Sequence, residues 1–342
     1  MSQTLPSSPH VAIVGATGAV GVELLDCLTR RDFPLASLRL LASPRSAGRT
    51  MAFRGQELPV EVLTAESFAG IDIALFSAGG SISRDFASAA VQAGAVVVDN
   101  SSAFRMNPDV PLVIPEVNPG DALRHQGIVA NPNCSTIIAA VPLWPLHQAT
   151  PIRRIIASTY QAASGGGAAA MAELEDSTRA ALDRQDFVHR VLPHPYAFNL
   201  FSHNSPMDAA SGYNEEELKM LNETRKIFGD ATLRIAATCI RVPVLRAHAI
   251  ALNVEFAEPV TPETVRAILH DAPGVRVVDD REANRFPMPV EASGRDEILV
   301  GRIRVDTSDP SGRSVALFVA GDQLLKGAAL NAVQIAELLR AA

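Results

Sequence analysis

The sequence predicts an α/β protein of two domains: a parallel sheet wrapped by helices, then an α+β domain with a large mixed or antiparallel sheet. Three observations predict it. The first 130 residues alternate short β-branched runs with longer helical stretches, the pattern of successive strand–helix units. From about residue 153, strand-like runs crowd together with few helices between them. The chain has 342 residues and 47% hydrophobic content, enough to fill two cores.

In order along the chain, "HVAIVG" reads as a strand and "VGVELLDCLTRR" as the helix after it. "LRLLAS", "IDIALFSA" and "AVVVDN" are further strands, and "ISRDFASAAVQAG" is a second helix. In the later part, "RRIIASTYQAAS", "LRIAATCIRVPV", "AIALNVEF", "VRVVDD", "ILVGRIRVD" and "SVALFVAG" are strands. A helix starts at Thr261, which can cap it, with Pro262 suited to the first turn and Glu263 complementing the positive end. The closing "DQLLKGAALNAVQIAELLRAA" repeats apolar residues at helical spacing and is expected to pack back on the first domain. The boundaries expected are 1–132, completed by a helix over 323–342, for the first domain, and 133–322 for the second.

A net charge of -7 without runs of like charge argues against a nucleic-acid surface and points to small-molecule partners. The start "MSQTLPSSPH" lacks a basic segment followed by an apolar one, and no apolar run approaches a bilayer span, so the expected location is the cytoplasm. Cys27, Cys134 and Cys239 are odd in number and far apart, which suggests neither a disulfide framework nor a metal site.

"VAIVGATGAVG" sets Gly15, Gly18 and Gly21 between a strand and a helix, a GxxGxxG variant of the dinucleotide fingerprint. Glycine permits the tight turn and lets backbone approach a pyrophosphate, whose charge the helix N-terminus stabilises. The first domain is therefore expected to be Rossmann-like. The second strand runs into Ser43, Pro44, Arg45 and Ser46, where NAD enzymes place an acidic residue. A guanidinium and hydroxyls suit a 2′-phosphate, so NADP is the expected cofactor. The competing reading of Arg45 is a solvated loop charge.

"NPNCST" puts Cys134 at the mouth of a helix, where unpaired N–H groups and the helix dipole favour thiolate. Asn133 could donate to an oxyanion or phosphate. Cys27, on a helix, and Cys239, in an alternating strand, read as core packing. "CIRVPVLRAH" brings Arg241 and His248 to the ends of consecutive strands. An isolated histidine is more often structural, but a nucleophilic cysteine elsewhere in the chain needs a proton carrier.

These stretches, with "SAGGSISRDFA", "VVDNSSAFRM", "VPLVIPEVN", "YQAASGGG", "EEELKM", "ETRKI" and "KGAALNAVQIAE" in the same order, resemble the bacterial type of the aspartate-semialdehyde dehydrogenase family nearly end to end. The resemblance implies that Cys134 is the acylated nucleophile, His248 the general acid/base and Gln161 the group that orients the reactants. It implies Arg241 on the substrate α-carboxylate, Glu217 on its α-amino group, and Arg105, Lys219 and Asn133 on the phosphate. The acidic run Glu215, Glu216 and Glu217 leaves the amine-binding carboxylate open between Glu216 and Glu217. The cofactor site implied comprises Gly15, Thr17, Gly18, Ala19, Val20, Ser43, Arg45, Ser46, Ser164, Gly165 and Gln323.

The activity implied is NADPH-dependent reductive dephosphorylation of aspartyl β-phosphate to aspartate semialdehyde and inorganic phosphate through a thioester. It would supply the lysine, threonine and methionine branch of amino-acid synthesis, in a second domain that is catalytic and dimerising. A homodimer or homotetramer is expected, with no metal, nucleic acid or membrane partner. Two other readings are an N-acetyl-γ-glutamyl-phosphate reductase, whose substrate lacks an ammonium for "EEELKM" to bind, and a silent relative acting as a binding subunit. The presence of Cys134, Gln161, Arg241 and His248 together argues against the latter.

Overall fold

The computed structural model describes residues 5–341; the first four residues of "MSQTLPSSPH" and the last residue of the closing helical stretch lie outside them. The chain forms two compact units. One takes in the chain up to Asn133 together with the segment from Ala328, and the other is Cys134–Gly327.

In the first unit the strands are β1 (His10–Val14), β2 (Ser37–Ala42), β3 (Thr50–Phe53), β4 (Gln56–Val62), β5 (Ile73–Phe76), β6 (Val96–Asp99) and β7 (Ile128–Ala130). They form one sheet in the order β3-β4-β2-β1-β5-β6-β7, parallel except for the β3–β4 hairpin. That hairpin has no forerunner in the expected elements, because "TMAF" is a short edge strand and most residues of it and "QELPVEV" together are exposed. Helices α1 (Ala19–Arg30) and α2 (Gly80–Gln92) connect strands. The runs "IALF" and "VVVD" are buried throughout, as expected of strands covered on both faces.

The chain leaves β1 for β2 on one side and later crosses to β5 on the other, so β1 and β5 flank a topological switch point, where doubly wound sheets bind ligands. The C-terminal helix Leu330–Ala341 belongs to this unit. Arg31 forks onto Glu337 with two bonds of 2.7 Å, and Asn331 Nδ2 donates to the Val113 carbonyl at 3.0 Å. This α-helix begins later than the sequence pattern suggests. Leu325–Ala329 form a π-helical turn, and the buried Asp322 carboxylate takes the N–H groups of Leu324 and Leu325 before it.

The second unit opens with α3 (Cys134–Ala149) and β8 (Ile152–Gln161), then α4 (Ala168–Leu182), β9 (Phe201–Ser202), α5 (Glu215–Phe228), β10 (Arg234–Arg241) and β11 (His248–Phe256). After these come α6 (Pro262–His270), β12 (Val275–Val277), α7 (Pro289–Ala292), β13 (Ile298–Val305) and β14 (Ser314–Gly321). Its seven-stranded sheet runs β12-β13-β14-β11-β8-β10-β9. The β12–β13 and β8–β10 pairs are parallel and the rest antiparallel, so the sheet is mixed. Helix α3 is apolar on nearly every side and lies buried in this unit. Helix α6 starts as read, with Thr261 Oγ1 accepting from the Thr264 N–H at 3.1 Å.

Candidate active site

In the first unit, the glycine loop is shaped by close backbone approach. Gly15 has φ +86°, and a Cβ there would lie 2.6 Å from the Ser77 carbonyl oxygen just past β5. A Cβ on Gly21 would meet the Gly15 and Ala16 carbonyls at 2.3 and 2.4 Å, so helix α1 can start this near the turn only with glycine. Gly18 occupies the N-cap position of α1 and no side chain caps that end, which presents the helix N-terminus to a ligand at the switch point. Thr17 Oγ1 donates to Ser46 Oγ at 3.2 Å, joining this loop to the exposed Ser43 and Arg45 beyond β2. Ala19 and Val20 are the first two residues of α1. These residues fit a phosphorylated dinucleotide: a glycine-shaped turn, an open helix end, and a guanidinium with hydroxyls beside it.

Also in this unit, Arg105 is buried and donates through Nε to the Asn131 carbonyl at 2.9 Å and through Nη2 to the Asn100 carbonyl at 2.8 Å. Asn133 is buried at the unit's end, whereas the third expected phosphate ligand, Lys219, lies in the second unit.

In the second unit, Cys134 is the first residue of α3, as read, and is half-buried. A Cβ on Gly327 would lie 2.9 Å from that of Cys134 and 3.2 Å from that of Gln323. Gln323 in turn accepts from the Ala247 N–H at 2.9 Å and donates to Ser164 Oγ. Ala247 adopts φ +72°, a left-handed conformation uncommon for alanine, immediately before His248.

The register of three adjacent strands brings the remaining groups together. β8 and β10 run in parallel and end side by side at Gln161 and Arg241; β11 runs against β8 and starts at His248. Residues distant in sequence therefore share one end of the sheet. Arg241 donates through Nη1 to the Ala162 carbonyl at 3.0 Å and through Nε to Asn204 Oδ1 at 3.3 Å. A Cβ on Gly165 would lie 2.9 Å from Arg241 Nη1 and 3.1 Å from His248 Nε2, so only glycine leaves room beside both groups.

His248 is fully buried, and its Nδ1 accepts from the Ala162 N–H at 3.0 Å. Nε2 is buried with no hydrogen-bond partner among the described residues. Burial, helped by the Arg241 cation and opposed by Glu216, pushes its pKa down to about 3, so the ring is neutral at pH 7 and carries its proton on Nε2. By contrast, burial pushes the Cys239 thiol up to about 12, in keeping with its reading as packing.

The structure separates the two candidate amine-binding carboxylates. Glu217 closes a capping box with Asn214, through bonds of 2.9 and 3.0 Å, and its other oxygen takes the Cys239 N–H at 3.0 Å. Both oxygens of Glu217, one of the two carboxylates expected on the substrate amine, are thus held by backbone N–H groups. Glu216 instead accepts from Gln161 Nε2 at 3.1 Å and pairs with Lys219 Nζ at 3.3 Å. Gln161 also accepts from Thr159 Oγ1 at 3.0 Å, which orients its amide. The sequence reading passed over His203, Asn204 and Ser205, polar residues after a two-residue strand without a motif to mark them.

Residues 10–125 match the family description "Semialdehyde dehydrogenase, NAD binding domain", and residues 143–326 match "Semialdehyde dehydrogenase, dimerisation domain". The aspartate-semialdehyde dehydrogenase of Synechocystis sp. is 57% identical over 335 residues, covering 98% of each chain. That of Aquifex aeolicus is 49% identical, covering 96% of this chain and 97% of its own. The crystal structure of aspartate semialdehyde dehydrogenase II complexed with ASA from Vibrio cholerae superposes with a TM-score of 0.94 at 43% identity, covering 97% of this chain and 98% of that one. The chain belongs to the aspartate-semialdehyde dehydrogenase family.

Proposed function

We propose that this chain reduces L-aspartyl 4-phosphate to L-aspartate 4-semialdehyde with NADPH, releasing inorganic phosphate, through a thioester on Cys134. The observation that carries the reading is the meeting of Gln161, Arg241, His248 and Glu216 in the unit that α3 opens with a thiol. The thiolate attacks the acyl carbon, and the tetrahedral oxyanion collapses as phosphate leaves. NADPH, when bound, supplies the hydride that reduces the thioester. His248 donates its Nε2–H to the carbonyl oxygen in each tetrahedral state and carries the proton to the thiohemiacetal, then takes it back as the C–S bond breaks, releasing the semialdehyde and the Cys134 thiolate. Gln161, fixed between Thr159 and Glu216, orients the acyl group.

Arg241 binds the α-carboxylate, with Nη2 lacking a protein hydrogen bond among the described residues. Glu216 binds the α-ammonium, and Lys219, Arg105 and Asn133 receive the phosphate. Glu216→Gln is expected to raise the KM for aspartate semialdehyde roughly tenfold, the scale of a lost charged hydrogen bond, whereas Glu217→Gln leaves it within about twofold. Steady-state kinetics on both variants check this; the reverse ranking would return the amine to Glu217.

Gly15, Thr17, Gly18, Ala19 and Val20 hold the cofactor pyrophosphate, Ser43, Arg45 and Ser46 the 2′-phosphate, and Ser164, Gly165 and Gln323 the redox end. Arg45→Ala is expected to raise the KM for NADP roughly tenfold or more and to leave that for NAD nearly unchanged. Equal effects on both cofactors would remove Arg45 from the site.

We further read the chain as a cytoplasmic homodimer. A face of the second unit's sheet leaves Ile156 and Tyr160 exposed, an arrangement suited to a second copy, and no helix of the described residues is long and apolar enough to cross a membrane. The test of the activity is phosphate-dependent reduction of NADP by aspartate semialdehyde, run beside N-acetylglutamate semialdehyde. Preference for the acetylated aldehyde would overturn the reading.

A further inference from the structure

The turn after β9, His203-Asn204-Ser205, has no part in the reaction above, yet its side chains reach the substrate-reading groups. Asn204 Oδ1 accepts from Arg241 Nε at 3.3 Å, and Ser205 Oγ accepts from the Glu216 N–H at 3.2 Å. His203 Nδ1 accepts from the Ser205 N–H at 3.2 Å and closes the turn. Both flanks are anchored. The His203 N–H donates to the Cys239 carbonyl of β10 at 2.8 Å, and the Glu215 N–H at the start of α5 donates to the Pro206 carbonyl at 2.9 Å.

An arginine side chain has many rotamers, and a single anchor would let its guanidinium pivot. Arg241 has two, Ala162 on Nη1 and Asn204 on Nε, which fix the plane of the fork. An α-amino acid carries its carboxylate and ammonium on one carbon, so the groups that read them must keep a set spacing. The same three-residue turn touches the guanidinium of one reader and, through Ser205, the backbone N–H that places the other. We propose that His203–Ser205 is the gauge that sets this spacing, and that Asn204 is a positioning residue for Arg241 that determines selectivity for a free α-amino acid. His203 adds no competing cation, since burial, with Glu216 opposing and Arg241 and Lys219 adding, lowers its pKa to about 4.

The inference rests on the functional reading above, and the test separates the two. Asn204→Ala and Asn204→Asp would be compared with wild type, varying aspartate semialdehyde, phosphate and NADP in turn. Asn204→Ala is expected to raise the KM for aspartate semialdehyde roughly tenfold, within the up to about 100-fold that a misplacement near 1 Å can cost. The KM values for phosphate and NADP and the thermal midpoint stay as in wild type. Asn204→Asp keeps an acceptor for Nε and restores the KM to within about threefold. An unchanged KM in Asn204→Ala, a parallel loss in all three substrates with a lower thermal midpoint, or an Asp variant as poor as Ala would each overturn the gauge. Wild-type enzyme that fails to turn over aspartate semialdehyde would instead overturn the functional reading itself.

Discussion

Cys134→Ala is expected to lower turnover by roughly 10⁴-fold or more, the scale of removing a covalent nucleophile, while NADP binding and the fold persist. The thiol is the first residue of α3 and half-buried, while Ser135–Leu143 behind it are buried, so a smaller side chain there leaves the core in place. A helix N-terminus, with its N–H groups and dipole, favours an anion, which is the physical ground for expecting a thiolate at this position. Cofactor titration by fluorescence, circular dichroism and initial rates would measure the three quantities. Activity within tenfold of wild type would remove Cys134 as the nucleophile. Cys27→Ser and Cys239→Ser provide the contrast: both thiols are fully buried in packed positions, and their loss is expected in stability rather than in turnover.

His248→Ala is expected to depress kcat by roughly 10²- to 10⁴-fold, the usual contribution of a general acid/base, with a smaller effect on KM. The ring is held by one backbone N–H on Nδ1, and its Nε2 has no hydrogen-bond partner among the described residues. A buried donor without a protein partner carries a desolvation cost, which a substrate oxygen would remove. The neutral ring also sets a pH expectation. Its pKa lies near 3, so histidine protonation should not produce an acid limb in kcat between about pH 5 and 8. Folding responds the other way. The unfolded chain takes up the proton near the ordinary histidine value and the folded one does not, so this group's contribution turns increasingly unfavourable as pH falls below about 6.5 toward 3. His248→Ala kinetics indistinguishable from wild type would return the residue to a packing role.

The features legible in the sequence are local ones. The β1 strand, glycine loop and α1 helix follow from apolar periodicity and from glycines that the backbone requires, as the contacts a Cβ would make at Gly15 and Gly21 show. Thr261 marks the start of α6, and Cys134 begins α3, because cap and helix-mouth signals lie within a few residues of what they specify. Which distant groups meet depends instead on the assembled sheet. Gln161, Arg241 and His248 share one end of the sheet because of a strand order and register set by packing across the whole unit. Glu216 and Glu217 are adjacent and chemically alike, but one residue of helix rotates a side chain by about 100°, which sends Glu217 to the cap and β10 and Glu216 to Gln161. The turn at Asn204 carries no motif, since its part depends on the contact with Arg241, 37 residues away in sequence, and such a contact exists only once the sheet has formed.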